Sequence, residues 1–482
     1  MQLVLGIDLG TSYFKLAVYN HEGYPCGIGS VPVAIDSIDG VRAELPVARF
    51  WTLLSIALDQ AVGQAHASLT DIQAVSYSSQ VNSFILLDSA DKPLTPLILY
   101  PDLRSKQLKP TIALPWQRKD FLEITGLGAP SLEMAVAKWL WFKHYQPGLW
   151  AKVAKIQTIS DYLVYSLIGK TLGDEGTTPM LGLWDLKKHQ WSNAILGELQ
   201  ISETQLCKPL RPGTVAGKLS VPGAEKMRLK PGIPLAVGSL DHHMAAIGGG
   251  VGIQVPVSES TGTVLACLRY IDSYLPRKSC CMGAGTEENL YYQLAFDSNG
   301  ARAFEWYQQT YAPDMTLDSL SALVETVNPG SDGLIALPLA HTYPDKHGFI
   351  HCLPEHHHGH FCRAIMESTA STLLELVRRL CGKMPPVILS TGGGARSDIW
   401  LQIKADMLGV DVAVLNCEEP SAQGAAMLAA IAAGWFKSVR EVSLKWVRIR
   451  KVVKPNPDAH KTYIEWKHKR DKQIEQNAGN KP

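Results

Sequence analysis

Leu3-Val4-Leu5-Gly6-Ile7-Asp8-Leu9-Gly10-Thr11-Ser12-Tyr13-Phe14-Lys15 is the stretch on which the fold of this chain turns. Its apolar run predicts a buried strand from Leu3 to Asp8, its Gly10-Thr11-Ser12 a tight turn, and Phe14 to Tyr19 the hairpin partner. A strand of this kind delivers a carboxylate to its end, and the turn after it exposes backbone N–H groups. Such a nest suits phosphate, and the carboxylate suits a hydrated Mg2+. An ordinary hairpin turn with a capping Asp would use the same residues. No Gly-x-x-x-x-Gly-Lys-Ser/Thr run occurs, which excludes a P-loop.

Two more turns of this kind lie further along. Ser258-Glu259-Ser260-Thr261-Gly262-Thr263 sits in a Ser/Thr-rich stretch, 255–263, whose composition predicts a turn. Ser390-Thr391-Gly392-Gly393-Gly394-Ala395-Arg396-Ser397-Asp398 follows a strand at 387–391 and opens a helix at 397–408. Three glycines let a ligand approach the backbone closely, and the helix N-terminus favours anions. A strand at 235–238 runs into Ser239-Leu240-Asp241, where Asp241 is either a reactive carboxylate or the N-cap of the helical segment after it. Periodicity predicts helices at 46–65, 135–145, 162–168 (with Asp161 as N-cap), 360–380 and 421–434, and strands at 72–79, 84–88, 333–337 and 412–415. Strands and helices alternate in both halves, and the second half restarts the order strand, glycine turn, strand. That is an α/β architecture.

The chain has 482 residues, 46% of them apolar, which predicts two domains rather than one. Its 46 basic and 45 acidic residues give a formal charge of +1, which argues against a nucleic-acid binder. The basic excess from Lys437 onward is read as a solvated helix face. Nine scattered cysteines without a Cys-x-x-Cys pair predict reduced thiols. There is no basic, apolar leader and no run approaching the roughly 20 apolar residues a membrane span needs, so a cytoplasmic protein without membrane partners is expected.

Taken in order, these segments resemble the FGGY carbohydrate kinases, of the hexokinase/actin-like ATPases. Val75 to Gln80 is similar to the family's strand ending in a sugar-contacting Gln, and Leu99-Tyr100-Pro101-Asp102-Leu103-Arg104 to its Trp-Asn-Asp-x-Arg segment. Lys138-Trp139-Leu140-Trp141, Gly238-Ser239-Leu240-Asp241 and 393–406 resemble its Lys-x-x-Trp helix, its catalytic strand and its adenosine segment. The resemblance implies two ribonuclease-H-like domains around a central cleft, expected at 1–249 and 250–440, with a strand and helix at 441–482 packing back. It implies phosphorylation of a small sugar by ATP with Mg2+. Asp241 would be the general base, and Asp8 would hold the metal through water. Gly10, Thr11, Ser12, Thr261, Gly262 and Thr263 would hold the phosphates; Gly393, Gly394, Ser397 and Gln402 would surround the adenosine. Gln80, Asn82, Tyr100, Asp102, Arg104 and His242 would face the sugar. The expected acceptor is a ketopentose of the xylulose or ribulose type. A polyol kinase and a nucleotide-binding switch of the same fold are the alternatives, and a homodimer is compatible with the sequence.

Some positions depart from the family. Leu339-Ala340-His341-Thr342 stands where many members have Gly-Glu-Arg-Thr, and Val81-Asn82 matches neither the Met-His of xylulose-type nor the Arg-Glu of glycerol-type members. The tract His351 to Cys362 lacks finger spacing, and no functional metal is expected there; His360 and Arg363 fit a His-x-x-Arg pair that opens the following helix. Gly248-Gly249-Gly250-Val251-Gly252 is read as close packing or a turn rather than a dinucleotide site.

Overall fold

A computed structural model describes residues 1–34, 36–38, 40–113 and 118–477; the very end of the basic tail, 478–482, lies outside them. The chain forms two compact units. The first takes Met1–Ile253, Tyr270–Gln293 and Cys417–Val447; the second takes Gln254–Arg269, Leu294–Asn416 and Arg448–Pro482. Among the described residues, no helix is long and apolar enough to cross a membrane.

In the first unit a sheet runs in the order Val215–Lys218, Pro234–Ala236, Ile72–Ser79, Leu3–Leu9, Tyr13–Tyr19, Pro25–Pro32, with Ser239–Leu240 beside the end of Ile72–Ser79. Leu3–Leu9 is antiparallel to Tyr13–Tyr19 and parallel to Ile72–Ser79, and all seven of its residues are buried. A strand covered on both faces reads as a continuous apolar run, which is why it was legible. The register sets Asp8 opposite Lys15 on one side and Ser78 on the other, and Ser78 opposite Ser239. Residues opposite one another share a face, so a polar row crosses the carboxyl end of an apolar sheet.

Helix Pro420–Ala432, rich in Ala, lies directly on this sheet. A Cβ on Gly6 would stand 2.2 Å from the Ala422 carbonyl oxygen. The same helix crosses helix Asp241–Gly248 backbone to backbone: a Cβ on Gly424 would meet the Met244 carbonyl oxygen at 2.0 Å, and one on Gly248 that of Pro420 at 2.0 Å. Gly248 therefore serves close packing. Leu240, not Asp241, occupies the N-cap of its helix, and Asp241 is the first helical residue.

Two of the buried carboxylates of this unit, Asp161 and Asp174, influence one another. Asp161 is not the N-cap of helix Ile159–Ile168. Thr158 is, and Asp161 completes a reciprocal capping box from the third helical position. Asp174 accepts hydrogen bonds from Tyr77 Oη at 3.1 Å and the Thr177 N–H at 2.5 Å.

In the second unit the strands Leu265–Ile271, Val257–Thr261, Val387–Thr391, Asp411–Leu415 and Ile449–Val453 are neighbours in that order. Val257–Thr261 is antiparallel to Leu265–Ile271 and parallel to Val387–Thr391, repeating the arrangement around Leu3–Leu9. The stretch read as a turn from its composition is thus a largely buried strand. Helix His358–Cys381 begins in the His/Cys tract. His357 caps it reciprocally with His360, and His360 Nε2 meets Asp332 at 3.1 Å. Among the described residues, no three His, Cys, Asp or Glu side chains are placed to hold a metal ion. Arg363 pairs with Glu367 at 3.0 Å and donates to Tyr463 Oη at 2.9 Å, and Tyr463 donates to Glu367 at 2.8 Å. This buried triad fastens the last helix, Pro457–Asn477, to the unit.

Asp174 sets a pH dependence. Burial first, and then the neighbouring Asp161, push its carboxyl up to about 7. A native-state value above the ordinary one favours the protonated form, so this contribution to stability is complete below about pH 4 and is lost as pH rises through 7. Asp174→Asn stays neutral and keeps an acceptor for Thr177. The Tm of the variant minus that of the wild type should therefore increase from pH 5 to pH 8. A difference that does not change with pH contradicts the assignment.

Candidate active site

Three carboxylates meet at the polar end of the first sheet. Strand Leu3–Leu9 supplies Asp8, the first turn of helix Asp241–Gly248 supplies Asp241, and the residue before helix Pro420–Ala432 is Glu419. Lys15 Nζ donates to Glu419 Oε2 at 2.6 Å, and Ser421 Oγ to the Asp241 carbonyl at 3.3 Å. Burial pushes the Asp8 carboxyl up to about 7; Ser78 and Lys15 oppose the shift, while Asp241 and Glu419 reinforce it. Its Oδ1 is buried without a hydrogen-bond partner among the described residues. The three carboxylates are not placed to ligate one ion directly, but a buried carboxylate oxygen without a partner, with other negative charges acting on it, suits a divalent cation held through water. Asp241 is partly exposed, and its Oδ1 accepts the N–H of His242, also partly exposed, at 2.7 Å.

The turn after Asp8 is fastened by Gln80. This buried amide donates to the Gly10 carbonyl at 3.1 Å, and its oxygen accepts from Ser83 Oγ at 2.8 Å and Thr11 Oγ1 at 3.5 Å. Ser12, one residue on, is exposed. Ser83 Oγ in turn accepts the Tyr100 N–H at 2.8 Å, so one chain of hydrogen bonds runs from the turn to Tyr100. Asn82 has a left-handed backbone, φ 60°, and its Oδ1 accepts the Ala135 N–H at 3.0 Å. Lys138, buried, donates to the carbonyls of Tyr100, Leu99 and Asn82 at 2.8, 3.3 and 3.5 Å.

Tyr100 remains 40% exposed, and its ring stands with Leu103, Ser105, Lys106, Leu132 and Glu133 around a small pocket. Burial, then Glu133 and Asp241, raise its phenol above the ordinary range. Asp102 and Arg104 behind it are buried and bound to each other: Nε donates to Oδ1 at 2.7 Å and Nη2 to Oδ2 at 2.8 Å. Asp102 also accepts the Ala43 N–H at 2.9 Å, and Arg104 reaches Glu44 at 2.5 Å.

The second unit gathers the remaining predicted residues. Thr261 is buried and donates to Glu259 Oε2 at 2.7 Å, while Gly262 is partly exposed and Thr263 exposed. Gly393 is exposed and Gly394 buried, where a Cβ would stand 2.8 Å from that of Thr261. Ser397 caps helix Asp398–Leu408, accepting the Trp400 N–H at 3.4 Å. Gln402 donates to Asp406 Oδ1 at 2.8 Å and the Lys454 carbonyl at 3.0 Å. Sequence reasoning gave no role to Lys15, Glu419, Lys138, Glu259 or Lys404. Lys15 lay inside the quoted motif, but its partner Glu419 is 404 positions away and only the fold joins them.

Residues 3–248 match the N-terminal domain of the FGGY family of carbohydrate kinases, and 326–433 its C-terminal domain. The chain belongs to the FGGY family of carbohydrate kinases. It is a sugar kinase of two actin-like ATPase domains, in a family that uses ATP, and its acceptor is a small-molecule sugar. It is similar to the xylulose kinase of Bacillus subtilis (strain 168), with 29% identity over 464 residues, 93% of this chain and 92% of that one. Ligand-bound xylulose kinase from Lactobacillus acidophilus superposes with a TM-score of 0.87 at 23% identity over 99% of each chain. Gluconate kinase from the same organism does so with 0.86, also at 23% identity, over 99% of this chain and 98% of that one. This FGGY kinase thus shares its fold with kinases named for different acceptors.

The Asp102–Arg104 pair carries its own test. Removing one partner of a buried ion pair costs about 3–5 kcal/mol, because the other charge stays unpaired. Asp102→Asn should lower stability by that order in thermal or urea unfolding without any sugar present. Wild-type stability of the ligand-free variant contradicts this.

Proposed function

We propose that this FGGY kinase transfers the γ-phosphoryl group of ATP to a hydroxyl of a small neutral ketose, a ketopentose of the xylulose or ribulose type. The observation that supports the proposal is Asp241 itself, partly exposed in the first turn of its helix, with a charge that acts on both the buried carboxyl of Asp8 and the phenol of Tyr100. Asp241 takes the proton of the attacking hydroxyl. Tyr100 offers a flat apolar face to sugar C–H groups and a polar tip, and His242 adds a ring that can donate or accept. Gln80, Asn82 and the buried Asp102–Arg104 pair hold the acceptor loops in place.

On the donor side, Gly10, Thr11, Ser12, Gly262 and Thr263 offer backbone N–H and hydroxyl groups to phosphates. Gly393, Gly394, Ser397 and Gln402 surround the adenosine. Asp8 would hold Mg2+ through water, in keeping with its buried, unpartnered oxygen and acidic neighbours, and when bound the ion would supply neutralisation of the charge that develops on the phosphates. Lys15, held by Glu419, is a second cation for the same charge. Phosphoryl transfer depends on positioning and charge neutralisation, so these parts suffice.

Asp241→Asn keeps the shape of the site but removes the base. Its turnover should fall by roughly 10²–10⁴, the usual contribution of general-base help; near-normal turnover contradicts the assignment. The acceptor is tested by kcat/KM at fixed MgATP for xylulose, ribulose, fuculose, rhamnulose, erythritol, glycerol and gluconate. A ketose should lead. Glycerol or erythritol in front would replace the proposal with a polyol kinase, and gluconate in front with an acid-sugar kinase.

A further inference from the structure

Beneath the two glycine turns of the second unit lies an ion pair shut off from water. Lys404 Nζ stands 2.7 Å from Glu259 Oε1, and both side chains are 0% exposed. The network around them is dense. Thr261 Oγ1 donates to Glu259 Oε2 at 2.7 Å, Ser390 Oγ donates to Oε1, and Lys404 also reaches Ser390 Oγ at 3.2 Å. Thr391 Oγ1 donates to the Glu259 carbonyl at 2.8 Å.

These residues come from three elements. Glu259 and Thr261 lie on Val257–Thr261, Ser390 and Thr391 on the parallel strand Val387–Thr391, and Lys404 on helix Asp398–Leu408. Each strand leads into one of the turns, 262–263 and 392–395, and the helix follows the second. Gly394 sits against the network itself: a Cβ there would lie 2.8 Å from Thr261 Cβ and 3.2 Å from Lys404 Nζ.

A buried pair of this kind is a poor way to stabilise a core, because apolar residues of like volume serve as well or better. What it provides is direction: each donor and acceptor accepts one arrangement of its neighbours, whereas methyl groups tolerate several. We infer that Lys404 and Glu259 are positioning residues that fix the spacing of the two nucleotide turns. The inference rests on the proposal that those turns hold ATP. It adds that their separation is set from below by one charge-paired network.

The test uses the double variant Glu259→Gln/Lys404→Met, which leaves neither charge unpaired. Its KM for ATP should rise about tenfold, equivalent to the loss of about 1.4 kcal/mol of donor binding. At saturating ATP its kcat and its KM for the sugar should stay near wild type, because only donor binding is disturbed. Ser390→Ala, a one-atom deletion that the core tolerates more readily, should raise the same KM by a smaller factor. Gly393→Val, on the exposed turn where a Cβ would meet nothing closer than 3.9 Å, tests the nucleotide reading separately. It should raise the KM for ATP directly. If Gly393→Val does so while the double variant and Ser390→Ala keep the wild-type KM, the positioning role is overturned. If Gly393→Val leaves it unchanged, the nucleotide reading fails as well. Parallel losses in kcat and in both KM values for the double variant would mark a merely structural pair and also overturn the inference.

Discussion

The first unit is organised around a contact with no side chain in it. Helix Pro420–Ala432 lies so close to strand Leu3–Leu9 and helix Asp241–Gly248 that Gly6, Gly248 and Gly424 each leave no room for a Cβ. Backbones at this distance fix the helix in rotation as well as in height, since a larger residue at any of the three would push it away. The consequences are chemical. The helix start carries Glu419 to Lys15 and Ser421 to the carbonyl of Asp241, while the strand it covers presents Asp8. An acidic site thus hangs on a cluster of glycines that take no part in its chemistry.

Charge is then distributed with little compensation. Asp8 is buried near two other carboxylates, and Lys15 is the cation that acts on it. Taken alone this is an unfavourable arrangement, and a divalent cation or the proton of a bound hydroxyl relieves it. The second unit solves a different problem with opposite means: its buried glutamate is fully matched by Lys404 and by hydroxyls. One site is left electrostatically unfinished and the other is closed. That contrast is what the proposed roles would require, proton transfer beside a metal in the first unit and nucleotide holding in the second.

Much of this was legible where the signal was local. The apolar run ending in Asp8, the glycine turns and the helices at 135–145, 398–408 and 420–432 follow from periodicity and turn chemistry. What failed was polar content whose partners are remote. Val257–Thr261 reads as a turn because Ser258, Glu259, Ser260 and Thr261 are polar, yet a lysine 145 positions away allows Glu259 to be buried in a strand. Asp161 looked like a cap because the true cap, Thr158, lies at the end of the preceding strand, and the reciprocal box makes both look suitable. Asp102 and Arg104 carried a family word, but the contacts to Ala43 and Glu44 that complete their pairing come from a segment about sixty residues earlier.

The central claim is that phosphoryl groups leave ATP only for a sugar hydroxyl deprotonated in this acidic site. The most direct measurement follows ADP released and sugar phosphate formed in the same reaction, with a ketopentose and with the sugar omitted. The account predicts one sugar phosphate for each ADP and almost no ADP without sugar. ADP release that continues at the same rate without an acceptor, or without matching sugar phosphate, would contradict it.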